Sequence, residues 1–173
     1  MTGMHKESIY QKLFSDFNHL SIMIIGDVMV DSYLWGRVDR ISPEAPIPIV
    51  ALKNRENRMG GAANVARNIR SMGAKPILCS VVGSDLMGDT FYELLKEGNI
   101  ETYGLVRSSH RITTTKFRIF GDNTQMLRVD EEVEGDLSGD DCLALKNNID
   151  KILEEEKIDC IIFLTGLAFS IPQ

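Results

Sequence analysis

The stretch Ile22-Met23-Ile24-Ile25-Gly26-Asp27-Val28-Met29-Val30-Asp31 decides the fold. Its first four residues form an unbroken apolar run that stops at Gly26-Asp27. Such a run reads as a strand buried on both faces, with a polar carboxyl end. A strand buried on both faces belongs to a parallel sheet with helices on each side. Ligands of open sheets of that kind sit at the carboxyl ends of the strands. Asp27 and Asp31 come directly after this end and are therefore candidate site residues. A carboxylate only accepts hydrogen bonds and suits a sugar hydroxyl. The alternative for either residue is to cap or brace a turn.

Working outward, Ile9, Leu13, Phe14 and Phe17 have helical spacing within residues 5–19. Residues 33–38 read as a second, shorter strand. Pro43, Pro46 and Pro48 punctuate the next stretch, and residues 47–52 fit only an edge strand, because proline cannot donate to a ladder. Gly60-Gly61 opens a helix with Val65, Ala66, Ile69 and Met72 on its apolar side, and Gly73 fits the position after it. Residues 76–82 form a strand. Ser84 or Asp85 caps the helix that runs to Lys96. A short strand covers residues 103–106. Residues 112–120 and 124–129 flank Gly121-Asp122-Asn123 as a β-hairpin. Ser138 caps a helix to about Glu156, with Asp141 in the capping-box slot, and residues 158–164 read as a buried strand. The alternation predicts an α/β fold with a mainly parallel sheet flanked by helices. Two β pieces rich in basic residues, the first also in proline, break the alternation and predict an accessory sheet rising off the core.

Composition bounds the function. The chain has 173 residues, 43% hydrophobic and 25% charged, the balance of one globular domain. A net charge of −6 argues against bulk nucleic-acid binding. No apolar run approaches the ~20 residues that span a bilayer, so no membrane partner is expected. His5, Lys6, Glu7, Lys12 and Asp16 exclude a signal-peptide core near the start. Cys79, Cys142 and Cys160 are too few and scattered for a disulfide framework or a zinc site, and Cys79 and Cys160 are expected buried and inert. His5, His19 and His110 lack a partner at ligand spacing, so no metal site is assigned. A soluble, reducing, cytoplasmic setting is the expectation.

Charge is unevenly spread. Residues 37–75 hold eight Lys and Arg against three Asp and Glu, and residues 105–128 hold five against one. Residues 130–159 hold three against twelve. Two basic segments in an acidic chain fit a localised anion site such as one for a phosphate. They equally fit sheet edges protected from aggregation. Gly60-Gly61-Ala62-Ala63-Asn64 lets backbone approach a ligand at a helix start, where N–H groups and the dipole attract anions. It is neither a Walker loop nor a dinucleotide fingerprint, and a tight loop without a ligand is the alternative. Along Thr113-Thr114-Thr115-Lys116-Phe117-Arg118, strand alternation puts Thr114, Lys116 and Arg118 on one face. That face suits a phosphate or a polyol, or is simply solvated. Arg128 joins that face or pairs with Asp130.

Together these segments resemble the ribokinase-like (PfkB) sugar kinases. Gly26 to Asp31, then Arg40-Ile41-Ser42-Pro43-Glu44-Ala45-Pro46, then Gly60-Gly61-Ala62-Ala63-Asn64-Val65-Ala66 carry the likeness. The Ile-Ser-Pro-Glu-Ala-Pro string points to the heptose 7-phosphate kinase branch, as do Thr115-Lys116 and Gln125-Met126-Leu127-Arg128-Val129-Asp130. The likeness runs over residues 22–132. It implies transfer of the ATP γ-phosphoryl group, with Mg²⁺, to O1 of D-glycero-D-manno-heptose 7-phosphate for ADP-heptose and lipopolysaccharide core synthesis. It also implies a β lid over the sugar that pairs into a homodimer. By position, Asp31 would bind sugar hydroxyls, and Gly60, Gly61 and Asn64 would line the pocket. Lys116 and Arg118 are assigned to the 7-phosphate from charge and strand face more than from the family pattern.

The chain then corresponds to the N-terminal portion of one ribokinase-like domain. Its core covers 1–32, 53–111 and 130–164, its lid 33–52 and 112–129, and an atypical tail 165–173. The family's catalytic aspartate sits in a Gly-Ala-Gly-Asp helix start in the second half, which also builds the ATP site. No such motif occurs here, so no catalytic residue is assigned and ATP and Mg²⁺ are expected only of a full-length member. Thr165-Gly166-Leu167 stands where the family has Asp-Tyr-x-Lys-Gly, as in a truncated or frameshifted product, a fragment or a split gene. Such a chain is expected to be inactive alone and to leave a sheet edge unpaired. A non-catalytic remnant dimerising through the lid and a kinase of another sugar, such as ribose, fructose phosphate or a nucleoside, are the alternatives.

Overall fold

The apolar run forms β1 (Ser21–Gly26), buried along almost its whole length. A computed structural model describes residues 3–164, with side chains from residue 9 onward. The tail at 165–173 lies outside the described residues, as does the side chain of His5. Ahead of β1 stands α1 (Gly3–Phe17). After it come β2 (Val28–Ile41), β3 (Pro48–Gly61), α2 (Ala62–Ser71), β4 (Lys75–Gly83) and α3 (Leu86–Glu97). The rest is β5 (Leu105–Ser108), β6 (Thr115–Gly121), β7 (Thr124–Glu131), α4 (Gly139–Glu155) and β8 (Cys160–Leu164).

The described residues form two four-stranded sheets. The first has the order β5-β4-β1-β8 and is parallel throughout. Its period-2 alternation divides the core. Ile22 and Ile24 of β1 pack with Leu78, Ala66, Ile69, Phe91 and Leu95, on the side of α2 and α3. Met23 and Ile25 pack with Ile77, Cys79, Leu145 and Ile152, on the side of α4. Burial pushes the Cys79 thiol up to about 12, so it stays protonated and inert, as expected.

The second sheet has the order β3-β2-β6-β7, with β2 parallel to β6 and antiparallel to β3. Its base is buried at Val28, Val30 and Ser32, and its tip is solvated from Asp39 to Ile41. The strands run longer than the sequence predicts: β2 is continuous from Val28 through Asp31, and β3 extends past Leu52 to Gly61. The hairpin turns on Asp122 and Asn123, at φ 48° and 67°, the mirror-type geometry that matches strand twist.

Several local expectations hold. Gly73 ends α2 at φ 102°, Asp85 rather than Ser84 caps α3, and Ser138 caps α4. Asp141 does not reach back in a capping box. It is buried, and its carboxylate accepts the Ser108 hydroxyl at 2.8 Å, tying α4 to the end of β5. The strand read as buried at 158–164 is instead largely exposed along β8, with Cys160 exposed and Phe163 62% exposed. Its faces are covered little because β8 stands at the sheet edge, paired among the described residues with β1 alone. Ile9, Leu13 and Phe14 of α1 are exposed too, and among the described side chains of α1 only Phe17 meets the core.

Asp85 joins the sheets. One carboxylate oxygen accepts the Gly88 N–H at 2.7 Å and the other the Thr113 N–H at 2.7 Å, just before β6. Thr113 Oγ1 accepts the Gly83 N–H in return, at 3.0 Å. Burial pushes the Asp85 carboxyl up, but these N–H donors outweigh it and hold it below the usual carboxylate range. Asp85→Ala removes a cap and leaves the Thr113 N–H unpaired, an expected loss of about 1–2 kcal/mol. Because the folded-state pKa is depressed, the contribution is full above the unfolded value near ~4 and fades as pH falls through the folded value. Denaturation midpoints of the two proteins should differ at pH 7 and converge in acid. A gap independent of pH would show that the carboxylate charge plays no part.

Candidate functional site

One residue separates β1 from β2, and none separates β3 from α2. The chain therefore leaves the core and re-enters it at neighbouring points. The Ala62 N–H donates to the Asp27 carbonyl at 2.8 Å and ties the two passages together. Gly61 has φ 59°, and a Cβ there would overlap the same carbonyl. The helix-start N–H of Ala62, a candidate anion donor on sequence grounds, is thus taken by backbone.

Alternation places Met29, Asp31, Tyr33 and Trp35 on one face of β2, opposite the face that buries Val30 and Ser32. Register adds Arg58 from β3, and Lys116, Arg118 and Phe120 from β6. At the base, Gly60 lies under Asp31. A Cβ on Gly60 would stand 2.7 Å from an Asp31 carboxylate oxygen and 2.6 Å from Met29 Cγ. The missing side chain is what lets Asp31 lean over the strand. Arg118 pairs with the other Asp31 oxygen, and both side chains are mostly buried. The result is an oriented carboxylate with one oxygen over open backbone.

Beside this cluster lies a cavity of about 600 Å³ between the carboxyl ends of β1 and β4 and the base of the second sheet. Asp27, Val81, Arg111, Thr114, Lys116 and Glu132 are among its lining residues. Lys116 Nζ lies 2.9 Å from Asp130 and 3.5 Å from Glu132. Arg128 also pairs with Asp130, at 2.9 Å. Lys116, with Arg128 behind it, holds the Asp130 carboxyl below its ordinary range, so it is ionised at neutral pH. The described residues gather no group of three acidic, His or Cys side chains able to hold a metal ion.

Of the expected site residues, the structure brings Asp31, Gly60 and Arg118 into contact, with Lys116 as Asp31's register partner. Asp27 and Lys116 share the cavity. Gly61 serves the junction, Asn64 is exposed on the first turn of α2, and Arg128 pairs with Asp130 as one of its two readings had it. Sequence reasoning missed Arg58, Tyr33 and Glu132. Their signal was cross-strand register, which a single sequence does not carry.

No described helix is long and apolar enough to cross a membrane. The chain is 45% identical over 142 residues to "Bifunctional protein HldE" of Helicobacter pylori strain G27. It is 39% identical over 159 residues to the protein of the same name from Methylobacillus flagellatus. These matches take in 82% and 91% of this chain but 30% and 33% of the relatives, so the chain spans about a third of their length. Phosphofructokinase-2 from Escherichia coli, solved in complex with fructose-6-phosphate, superposes with a TM-score of 0.61. That match covers 88% of this chain and 47% of the other at 16% identity, and it shows a shared fold. The pfkB family carbohydrate kinase pattern matches residues 19–158, and with the parallel sheet and second sheet in place the chain belongs to that family.

Proposed function

We propose that these residues form the sugar-binding part of a kinase for D-glycero-D-manno-heptose 7-phosphate. The observation that carries the reading is the Asp31 carboxylate, set over Gly60 and oriented by Arg118, beside a cavity at the strand ends that Asp27 and Lys116 line. A fixed acceptor suits sugar hydroxyls, and the Lys116 and Arg118 side favours the phosphate end. The heptose rests on the likeness to the HldE proteins, and a cytoplasmic setting belongs to the same proposal.

Kinases of this family generally use ATP and Mg²⁺. The nucleotide supplies the γ-phosphoryl group, and an in-line hydroxyl oxygen of the sugar receives it. This chain's own residues bind and orient the sugar. Asp31 and Gly60 fix its hydroxyl end, and the second sheet shields it from water. No Gly-Ala-Gly-Asp helix start occurs in the sequence, so transfer is assigned to a segment carrying that motif.

A second reading, dimerisation through the second sheet, has its own support. On the face opposite Asp31, Phe117 pairs with Val129 and Ile119 with Leu127, and Leu127 and Val129 are exposed. Apolar residues exposed side by side mark an interaction surface. The two readings are compatible.

Calorimetric titration with heptose 7-phosphate is expected to show saturable heat, without phosphate transfer when MgATP is added. Gly60→Ala should weaken binding at least tenfold by displacing Asp31 (about 1.4 kcal/mol). Turnover at an ordinary kinase rate would refute the assignment of transfer elsewhere, and no heat at millimolar sugar would refute sugar binding. Leu127→Glu with Val129→Glu is expected to convert a dimer to a monomer in sedimentation, with sugar affinity unchanged. A monomer before substitution would sink the dimer.

A further inference from the structure

Tyr33 stands one pleat beyond Asp31 on the same face of β2, about 7 Å along the strand. Two guanidinium groups flank its ring from the neighbouring strands. Arg58 of β3 lies 4.5 Å from the ring centroid and Arg118 of β6 lies 5.4 Å away. Trp35 and Phe120 stack 4.2 Å apart and stand 6.2 Å and 6.1 Å from Tyr33. Contact with a ring face orients a guanidinium plane, and the aromatic column restrains the ring.

The cations of this face are not equivalent. Lys116 is shared by two carboxylates, and its side chain is 18% exposed. Arg58 gives Nε and Nη2 to Glu56 at 2.6 Å and 3.0 Å and is 46% exposed. Arg118 gives Nη1 to Asp31. A guanidinium has five N–H donors, so both arginines keep donors in reserve. An exposed pair between near neighbours on one strand, such as Arg58–Glu56, contributes little and exchanges readily for a better anion.

We propose that Arg58 is a specificity-determining residue. With Arg118 it forms a fork on Tyr33 that takes the phosphate of a phosphorylated sugar whose hydroxyls meet Asp31. This rests on the sugar-phosphate reading and refines it. The phosphate displaces Glu56 from Arg58 and leaves that exposed carboxylate to water. In this refinement Arg58 takes the place of Lys116 as the second cation on the phosphate, and Lys116 stays with Asp130 and Glu132 and clamps β6 to β7. Arg118 joins both ends through its bond to Asp31, whereas the Arg58 guanidinium is held by Glu56 and lies over the Tyr33 ring one pleat on, so an unphosphorylated sugar at Asp31 has no anion to draw Arg58 from Glu56.

The test titrates the 173-residue chain calorimetrically with heptose 7-phosphate and with the unphosphorylated heptose. Arg58→Gln should lose about tenfold to a hundredfold in affinity for the phosphorylated sugar and nothing for the unphosphorylated one. Arg58→Lys should recover only part of that loss, because an ammonium neither stacks nor bridges two oxygens in a plane. Glu56→Gln should tighten the phosphorylated sugar alone by removing its competitor. An unchanged denaturation midpoint separates these effects from unfolding. Equal affinity of wild type and Arg58→Gln for the 7-phosphate, or an equal loss for both sugars, overturns the role of Arg58 and leaves sugar binding standing. If the wild type binds neither sugar, the underlying reading fails and the fork falls with it.

Discussion

The hydrogen bond from the Ala62 N–H to the Asp27 carbonyl fixes where the second sheet springs from the first. The chain leaves the core after Asp27 and returns at Gly61, so this backbone contact clamps both passages at once. It needs the left-handed backbone of Gly61 and the absence of a Cβ against the same carbonyl. The second glycine does a different job one residue earlier, giving Asp31 room to lean across β3. Read as sequence, the diglycine suggests open N–H groups for an anion. In the fold it is a device for close approach of strands, and at Gly60 it makes room for a carboxylate.

The same shift, from open charge to paired charge, runs through the second sheet. Two basic segments in a chain of net charge −6 read as a positive surface. In the structure Arg118 meets Asp31, Lys116 meets Asp130 and Glu132, Arg128 meets Asp130, and Arg58 meets Glu56. An incoming anion therefore exchanges with a carboxylate rather than filling an empty site. Exchange is easiest where the existing pair is exposed and hardest where it is desolvated and shared. That ranking separates Arg58 from Lys116, which net charge alone treats alike.

Legibility tracked burial. The apolar run of β1, the Asp85 and Ser138 caps, Gly73 and the 121–123 turn were all readable, because each reflects a local rule or a strand enclosed on both faces. The second sheet was read in pieces. Lys53-Asn54-Arg55-Glu56-Asn57-Arg58 continues β3, yet it is polar at every position. Strand periodicity appears only when one face is buried, and here both faces meet solvent near the tip. Asp31 and Ser32 broke the pattern of β2 similarly, although Ser32 is fully buried. Candidate residues were found where chemistry marks them, as with Asp31 and Gly60. Tyr33 and Arg58 gain their meaning from cross-strand neighbours, and register is a property of the folded sheet.

An apolar run records a capacity for burial, and what lies over it decides the outcome. β1 and β8 have similar sequences, but β1 is enclosed between α2 and α4 whereas Ile161 and Phe163 of β8 are exposed. The candidate site does not share that openness. Asp31, Gly60 and Arg118 are held by β2, β3 and β6, and the Asp85–Thr113 bonds anchor β6 to the end of β4. None of those contacts involves β8. The geometry of the candidate site is therefore set by β2, β3, β4 and β6, independent of the β8 edge. On the proposed reading, recognition and phosphoryl transfer would be physically separable, because the residues assigned to the sugar are held without any contact from β8.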